Sequence, residues 1–330
     1  MTTSLILGST GMIGQHLVHH LKSLGHTVIG ADRYPATHQS SLLKPDEFYE
    51  MDLTVYENME SMLTTDVDEV YHLAAEMGGA GYIFTGNNDA DIMTNSVSMT
   101  VNLLRCADKA GIKRIFYSSS ACVYPEYNQL DPLNNTCEET TAYPAAPDSE
   151  YGWEKLFAER LLMSYAKNKD FHIRIARLHN VFGTECSWNN GREKAPAALC
   201  RKVAQAANGG VVDIWGPGTQ TRSFLYVDEC IEGICKIMNS EELTEPVNLG
   251  SEEMISINDL ALLIADVADK KITINNRPGP LGVMGRNSHN MFIHKKLGWK
   301  PTSTLRDGIE KVYAWIANEI DQGKDDERPV

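Results

Sequence analysis

Tyr151-Gly152-Trp153-Glu154-Lys155 sets a phenol and an amine four residues apart, a spacing that stacks both on one face of a helix. A nearby ammonium favours phenolate over phenol, so a tyrosine with an unperturbed pKa of about 10 is expected to act as a base near neutral pH. Such a pair suits the oxidation of an alcohol. Upstream, Ile115-Phe116-Tyr117-Ser118-Ser119-Ser120 reads as a strand ending in hydroxyls, with Ser120 placed to hydrogen-bond the same substrate oxygen as Tyr151. Alone, the pair would equally suit a solvated helix surface, and Ser120 a strand end capping its own backbone.

What lifts these residues above that reading is Gly8-Ser9-Thr10-Gly11-Met12-Ile13-Gly14, set between the strand-like Ser4-Leu5-Ile6-Leu7 and an amphipathic helix. Gly8, Gly11 and Gly14 allow a tight turn and bring backbone N–H groups, with Met12 and Ile13 at the helix start, close to a pyrophosphate. The spacing is GxxGxxG rather than GxGxxG. Asp32 ends the second predicted strand 24 residues after Gly8, suited to the ribose hydroxyls on the adenine side of a dinucleotide. Its charge repels a 2′-phosphate, which favours NAD over NADP, although Arg33 beside it is able to hold one. Asp52 and Leu53 are expected to flank the adenine. His72-Leu73-Ala74-Ala75 ends a strand with small residues that let the cofactor lie close.

The elements that must position these groups alternate: strands near 4–7, 27–31, 68–73, 112–118 and 172–178, and helices near 12–24, 91–110 and 151–168. This pattern predicts an α/β fold, a Rossmann-type doubly wound parallel sheet covered on both faces. After residue 180 the spacing becomes irregular, with Gly-, Asn- and Pro-rich loops around 183–196, 215–221 and 277–288, which marks a smaller C-terminal substrate-binding lobe. Asp228 to Met238 reads as a helix and Pro246 to Leu249 as a strand, both returning to the first lobe. The expected division is therefore discontinuous: 1–182 and 222–250 for the cofactor, 183–221 and 251–330 for the substrate. The tail Asp321 to Val330 is charged, lacks apolar periodicity, and is expected to fray.

A formal net charge of −14 over 330 residues argues against DNA or an anionic membrane as the main partner, while leaving room for a local basic pocket. The chain enters its first strand within four residues with no signal-peptide pattern, and no apolar run is long enough to span a bilayer. Seven cysteines without a CxxC or a Cys/His ligand spacing read as reduced thiols, with no metal site. The expected compartment is the cytoplasm.

Gly8, Gly11, Gly14, Asp32, Tyr151 and Lys155 together resemble the extended short-chain dehydrogenase/reductase superfamily that acts on nucleotide sugars. Arg222-Ser223-Phe224-Leu225-Tyr226-Val227-Asp228 and Val247-Asn248-Leu249-Gly250 look like its C-terminal signatures. Within it the chain is similar to the GDP-mannose 3,5-epimerase family from about residue 4 to 318. That resemblance is carried by Ala74 to Gly81, Ser119 to Glu126, Gly191 to Ala198, Trp215 to Phe224 and Gly285-Arg286-Asn287-Ser288.

The resemblance implies an NAD-dependent isomerase acting on GDP-D-mannose to give GDP-L-galactose and/or GDP-L-gulose. Carbon 4 is oxidised, carbons 5 and 3 are deprotonated and reprotonated, and carbon 4 is reduced again. Cys122 matches the family's base on one face of the sugar and Lys194 the acid on the other. Gly78, Ser120, Ala121, Lys202, Gln220, Thr221, Arg222 and Arg286 match positions that contact the nucleotide sugar, the cations meeting the diphosphate. Asn180 matches a position beside the nicotinamide. The family's usual homodimer, built from the helices near 91–110 and 151–168, is a further implication.

The chain also departs from the family. It lacks the plant members' N-terminal extension, Gly183 to Trp188 differs from the usual loop after the sixth strand, and Met284 replaces an arginine. Competing readings are a 4-epimerase, which leaves Cys122 and Lys194 unexplained, and a 4,6-dehydratase, whose Asp-Glu pair would stand at Ala121 and Cys122. A non-catalytic NAD-binding sensor would be expected to lose the tyrosine.

Overall fold

In the computed structural model, which describes residues 2–35, 42–133 and 137–326, the alternating first half forms one parallel sheet. Its strands are β1 (Thr3–Leu7), β2 (Thr27–Asp32), β3 (Glu47–Glu50), β4 (Glu69–His72), β5 (Arg114–Ser120), β6 (His172–Leu178) and the later strand Val247–Leu249. The order is β3-β2-β1-β4-β5-β6 followed by Val247–Leu249. The chain runs outward from β1 in one direction and from β4 in the other, and in such sheets the crevice at that switch is where ligands bind.

The sheet is buried on both faces because its side chains alternate between two cores. Ile6, Val28, Tyr71 and Phe116 pack with α1 (Met12–Ser23) on one face. Leu5, Leu7, Val70 and Ile115 pack on the other, with α2 (Tyr56–Met62), α4 (Asp89–Ala110) and α5 (Glu150–Lys169); the single turn α3 (Ala80–Ile83) leads into α4. β3 escapes the sequence pattern because it is an edge strand of mostly exposed residues with no apolar alternation to read.

Beyond residue 180 the chain builds the far wall of the crevice. Lys194 is the N-cap residue of α6 (Ala195–Gln205), and Gly210–Trp215 pairs in parallel with Ile272–Arg277. Thr221–Ser223 lies between Met254–Ser256 and Gly285–Arg286 in a three-stranded sheet. The helix α7 (Val227–Met238) then returns to pack beside α1, and Val247–Leu249 joins the large sheet.

The described part of the C-terminal tail does not fray. The helix Leu305–Asp321 is followed by residues whose Asp326 carboxylate accepts hydrogen bonds from the backbone N–H groups of Trp188, at 2.6 Å, and Asn189, at 3.0 Å. A lone carboxylate capping a distant loop leaves no periodicity in sequence. Residues 327–330 lie outside the described residues.

Candidate active site

The chemistry-bearing residues converge on one cavity of about 520 Å³ at the switch in strand order. β5 delivers Ser120 at its C-terminal end, and a single 3₁₀ turn, Ala121–Val123, follows directly. The Ser120 hydroxyl caps that turn by accepting the Cys122 N–H at 3.1 Å. Ser120, Ala121 and Cys122 therefore reach the cavity as one rigid unit.

α5 brings Tyr151 and Lys155. Its N-terminus is fixed by Ser149, whose hydroxyl accepts the Gly152 N–H at 3.3 Å. Gly152 is the residue that sequence reasoning passed over. A Cβ there would stand 2.2 Å from the Cys122 carbonyl oxygen, so only glycine lets the helix lie against the turn after β5. Gly152→Ala is expected to cut turnover by roughly a hundredfold, as misplacement of reacting groups on the 1 Å scale does. NAD binding measured by fluorescence titration should change little.

Lys155 is buried, donates to the Ser118 carbonyl at 3.1 Å, and stands over the Tyr117 and Tyr151 rings at 4.6 and 5.7 Å. The expected easy phenolate is not what this environment favours. Burial, then the proximity of Cys122 and Glu154, push the Tyr151 phenol well above its ordinary value, against a hydrogen bond from Ser120. Burial also pushes Lys155 below its usual range, which weakens the cation expected to draw off the proton. The i,i+4 spacing sets geometry, and desolvation governs charge.

Arg286 enters beside Cys122 with its guanidinium already engaged. It donates to the Cys122 Sγ at 3.0 Å, to the Gln129 side chain at 2.6 Å and to Asp148 at 2.9 Å. These three contacts hold its guanidinium at the cavity wall, which it lines. Gln129 and Asp148 were not singled out from sequence; the only trace of Asp148 was its place next to the α5 cap.

Arg222 makes no ion pair with a carboxylate among the described residues. It donates to the Thr221 and Val283 carbonyls at 2.7 Å, and burial, with Arg286 nearby, pushes it down to about 10. A buried charge held only by carbonyls is suited to an incoming anion. Lys202, bonded to the Asp213 carbonyl at 2.8 Å, lines the same side of the cavity. Gln220 reaches it too, with an Oε1 that has no hydrogen-bond partner among the described residues. Thr221 does not. Strand alternation turns it away from the face of its neighbours Gln220 and Arg222, and its hydroxyl donates to the Pro132 carbonyl at 2.6 Å.

Lys194, Gly78, Ile13 and Asn180 also line the cavity. Burial pushes the Lys194 amine below its ordinary range, with Cys122 near enough to oppose the shift. Asn180 takes a left-handed backbone, φ 45°, and is tied to the Ser223 carbonyl at 2.9 Å.

The cradle expected for NAD lies next to this cavity and fits the group. Gly14 packs so tightly that a Cβ would meet the Gly8 carbonyl oxygen at 2.1 Å, whereas one at Gly11 would touch only that oxygen, at 3.5 Å, and otherwise face open space. Gly11 is the N-cap of α1, with no side-chain cap and no acidic residue in the first turn, so the helix start with Met12 and Ile13 is left for an anion. Asp32 receives the Thr10 N–H at 3.1 Å, which holds its carboxylate beside the glycine turn. Arg33 is drawn toward Glu76, at 3.6 Å. Asp52 uses one oxygen to cap Thr54, and the Leu53 side chain packs in the core beside it. Among the described residues no group of three His, Cys, Asp or Glu could hold a metal ion.

Comparison with known proteins supplies the lineage. Residues 4–250 match the NAD dependent epimerase/dehydratase family. GDP-mannose 3,5-epimerase of Arabidopsis thaliana is 44% identical over 97% of this chain and 83% of its own. UDP-glucose 4-epimerase of Thermotoga maritima superposes with a TM-score of 0.83 at 23% identity, covering 97% of this chain and all of the other. UDP-glucuronic acid 4-epimerase of Bacillus cereus, solved with UDP-glucuronic acid and NAD, gives 0.81 at 26% identity, covering 96% and 99%. The chain belongs to the NAD dependent epimerase/dehydratase family and, within it, to the GDP-mannose 3,5-epimerases.

Proposed function

We propose that this chain converts GDP-D-mannose to GDP-L-galactose and/or GDP-L-gulose with NAD as cofactor. The observation that carries the reading is the presence of Cys122 and Lys194 in the same cavity as Ser120, Tyr151 and Lys155. A 4-epimerase needs only the second group; inversion next to a ketone needs an additional acid and base.

The glycine turn and Asp32 would hold NAD, which when bound accepts and later returns the carbon 4 hydrogen. Tyr151 takes the proton of the carbon 4 hydroxyl, and Ser120 hydrogen-bonds the same oxygen. Once carbon 4 is a ketone, the hydrogens on carbons 3 and 5 are acidic enough for a side chain to abstract. Cys122 removes a proton from one face, and Lys194 returns one from the other. The lowered pKa of Lys194 suits this role, since a proton donor works best when its pKa lies near the working pH. Arg222 and Lys202 meet the diphosphate, and the free Gln220 Oε1 accepts a donor from the substrate.

In this reading 1–182 and 222–250 hold the cofactor, and 183–221 and 251–330 hold the sugar nucleotide. The enzyme works as a cytoplasmic homodimer. The dimer is supported by half-buried Met93, Val97 and Val101 along α4 and by Trp153 and Phe157, 41% and 48% exposed, on α5. No helix among the described residues is long and apolar enough to cross a membrane.

The test is proton NMR of GDP-mannose incubated with the enzyme in D₂O. Deuterium at carbons 3 and 5 with new anomeric signals is the expected result. No exchange by enzyme with NAD demonstrably bound would overturn the substrate assignment.

A further inference from the structure

Glu76 is a carboxylate outside the catalytic set, and four side chains converge on it. It lies just past β4, only 6% exposed. Its oxygens accept the Tyr82 hydroxyl at 2.8 Å and the Asn95 amide at 3.3 Å, and they pair with Arg192 at 2.9 Å and Arg33 at 3.6 Å. Burial opposes its charge, but the hydrogen bond from Tyr82 and the pairing with Arg192 outweigh that and hold it below the usual carboxylate range.

Arg192 stands two residues before Lys194 and is gripped by the same stretch of chain. Its guanidinium lies 4.3 Å over the Tyr82 ring and donates to the Tyr82 hydroxyl at 3.3 Å and the Met77 carbonyl at 3.4 Å. Its own carbonyl accepts the Gly79 N–H at 3.0 Å. The Lys194 carbonyl accepts the Ala198 N–H at 3.0 Å, but its amine has no hydrogen bond or ion pair among the described residues, so the backbone on either side, which fixes the origin of the side chain, sets where the amine can reach. One side is the start of α6. On the other stand Glu193, paired with Arg201 at 3.4 Å, and then Arg192.

We propose that Glu76, acting through Arg192, is a positioning residue that fixes where Lys194 presents its amine to the sugar. This deepens the reading of Lys194 as the acid and rests on it. Neither Glu76 nor Arg192 lines the cavity, so their contribution falls on the Lys194 step and spares carbon 4 oxidation, which belongs to Tyr151, Ser120 and Lys155.

The test compares wild type, Glu76→Gln, Glu76→Asp, Arg192→Ala and Lys194→Ala with GDP-mannose in D₂O. Two rates are followed: the first-turnover absorbance of reduced cofactor, which reports carbon 4 oxidation, and deuterium entry into the sugar. Glu76→Gln and Arg192→Ala are each expected to slow deuterium entry by on the order of tenfold to a hundredfold while leaving the oxidation rate within about twofold. Glu76→Asp should recover part of the loss. Arg192 is partly exposed, so its variant tests the idea even if Glu76→Gln fails to fold. Equal losses in both rates would reduce Glu76 to a structural role and overturn the proposal. Unchanged deuterium entry in Glu76→Gln beside a dead Lys194→Ala would sink the positioning role alone. Unchanged entry in Lys194→Ala would sink the acid assignment, and the proposal with it.

Discussion

Replacing Cys122 with alanine is expected to stop solvent deuterium from entering the sugar while the cofactor is still reduced in the first turnover. The fold should tolerate the change, because the Arg286 guanidinium loses one acceptor but keeps Asp148 and Gln129. Carbon 4 chemistry should survive because Ser120, Tyr151 and Lys155 keep their own anchors in β5 and α5. General acid–base groups contribute roughly a hundred- to ten-thousand-fold, and exchange should fall by that order. Cys122→Ser separates two roles: a hydroxyl can still accept from Arg286, yet it does not ionise as a thiol does. A serine variant as slow as the alanine would identify proton abstraction as what is lost. A serine variant near wild-type rate would mean that Cys122 serves only as a hydrogen-bond acceptor, and the base would lie elsewhere.

What was legible in the sequence follows from which interactions are periodic. Tyr151 and Lys155 could be placed on one face because helix geometry is local, and the strands β1, β2, β4, β5 and β6 because buried parallel strands write themselves as apolar runs. The outward turn of Thr221 was also open to local reasoning, since a strand that presents Gln220 and Arg222 to a cavity must present Thr221 to the other side. The remainder depends on contacts between distant segments. Gly152 needs to be glycine because of the Cys122 carbonyl, Arg286 is held by Asp148 and Gln129, and Asp326 is ordered by the Trp188 loop. The same distinction governs charge. Spacing set Lys155 near Tyr151, but the protonation of each depends on burial, which no pentapeptide encodes.

Burial of the phenol sharpens the expectation for Tyr151→Phe. Only the phenolate form of Tyr151 can take the carbon 4 proton, and because burial disfavours that form, the fraction of enzyme ready to react rises with pH. Removing the Tyr151 oxygen should then lower turnover by roughly a thousandfold, within the range of a lost general base. Deuterium entry should vanish with it, because no ketone forms for Cys122 and Lys194 to act on. This separates Tyr151→Phe from Cys122→Ala: the first silences both the cofactor absorbance and the exchange, the second only the exchange. NAD affinity should be nearly unchanged, since neither the glycine turn nor Asp32 is held by the phenol. First-turnover absorbance and NMR on the two variants side by side provide the check. A Tyr151→Phe protein that still reduces its cofactor at the wild-type rate would remove Tyr151 from the mechanism and leave Lys155 or Ser120 as the group to examine.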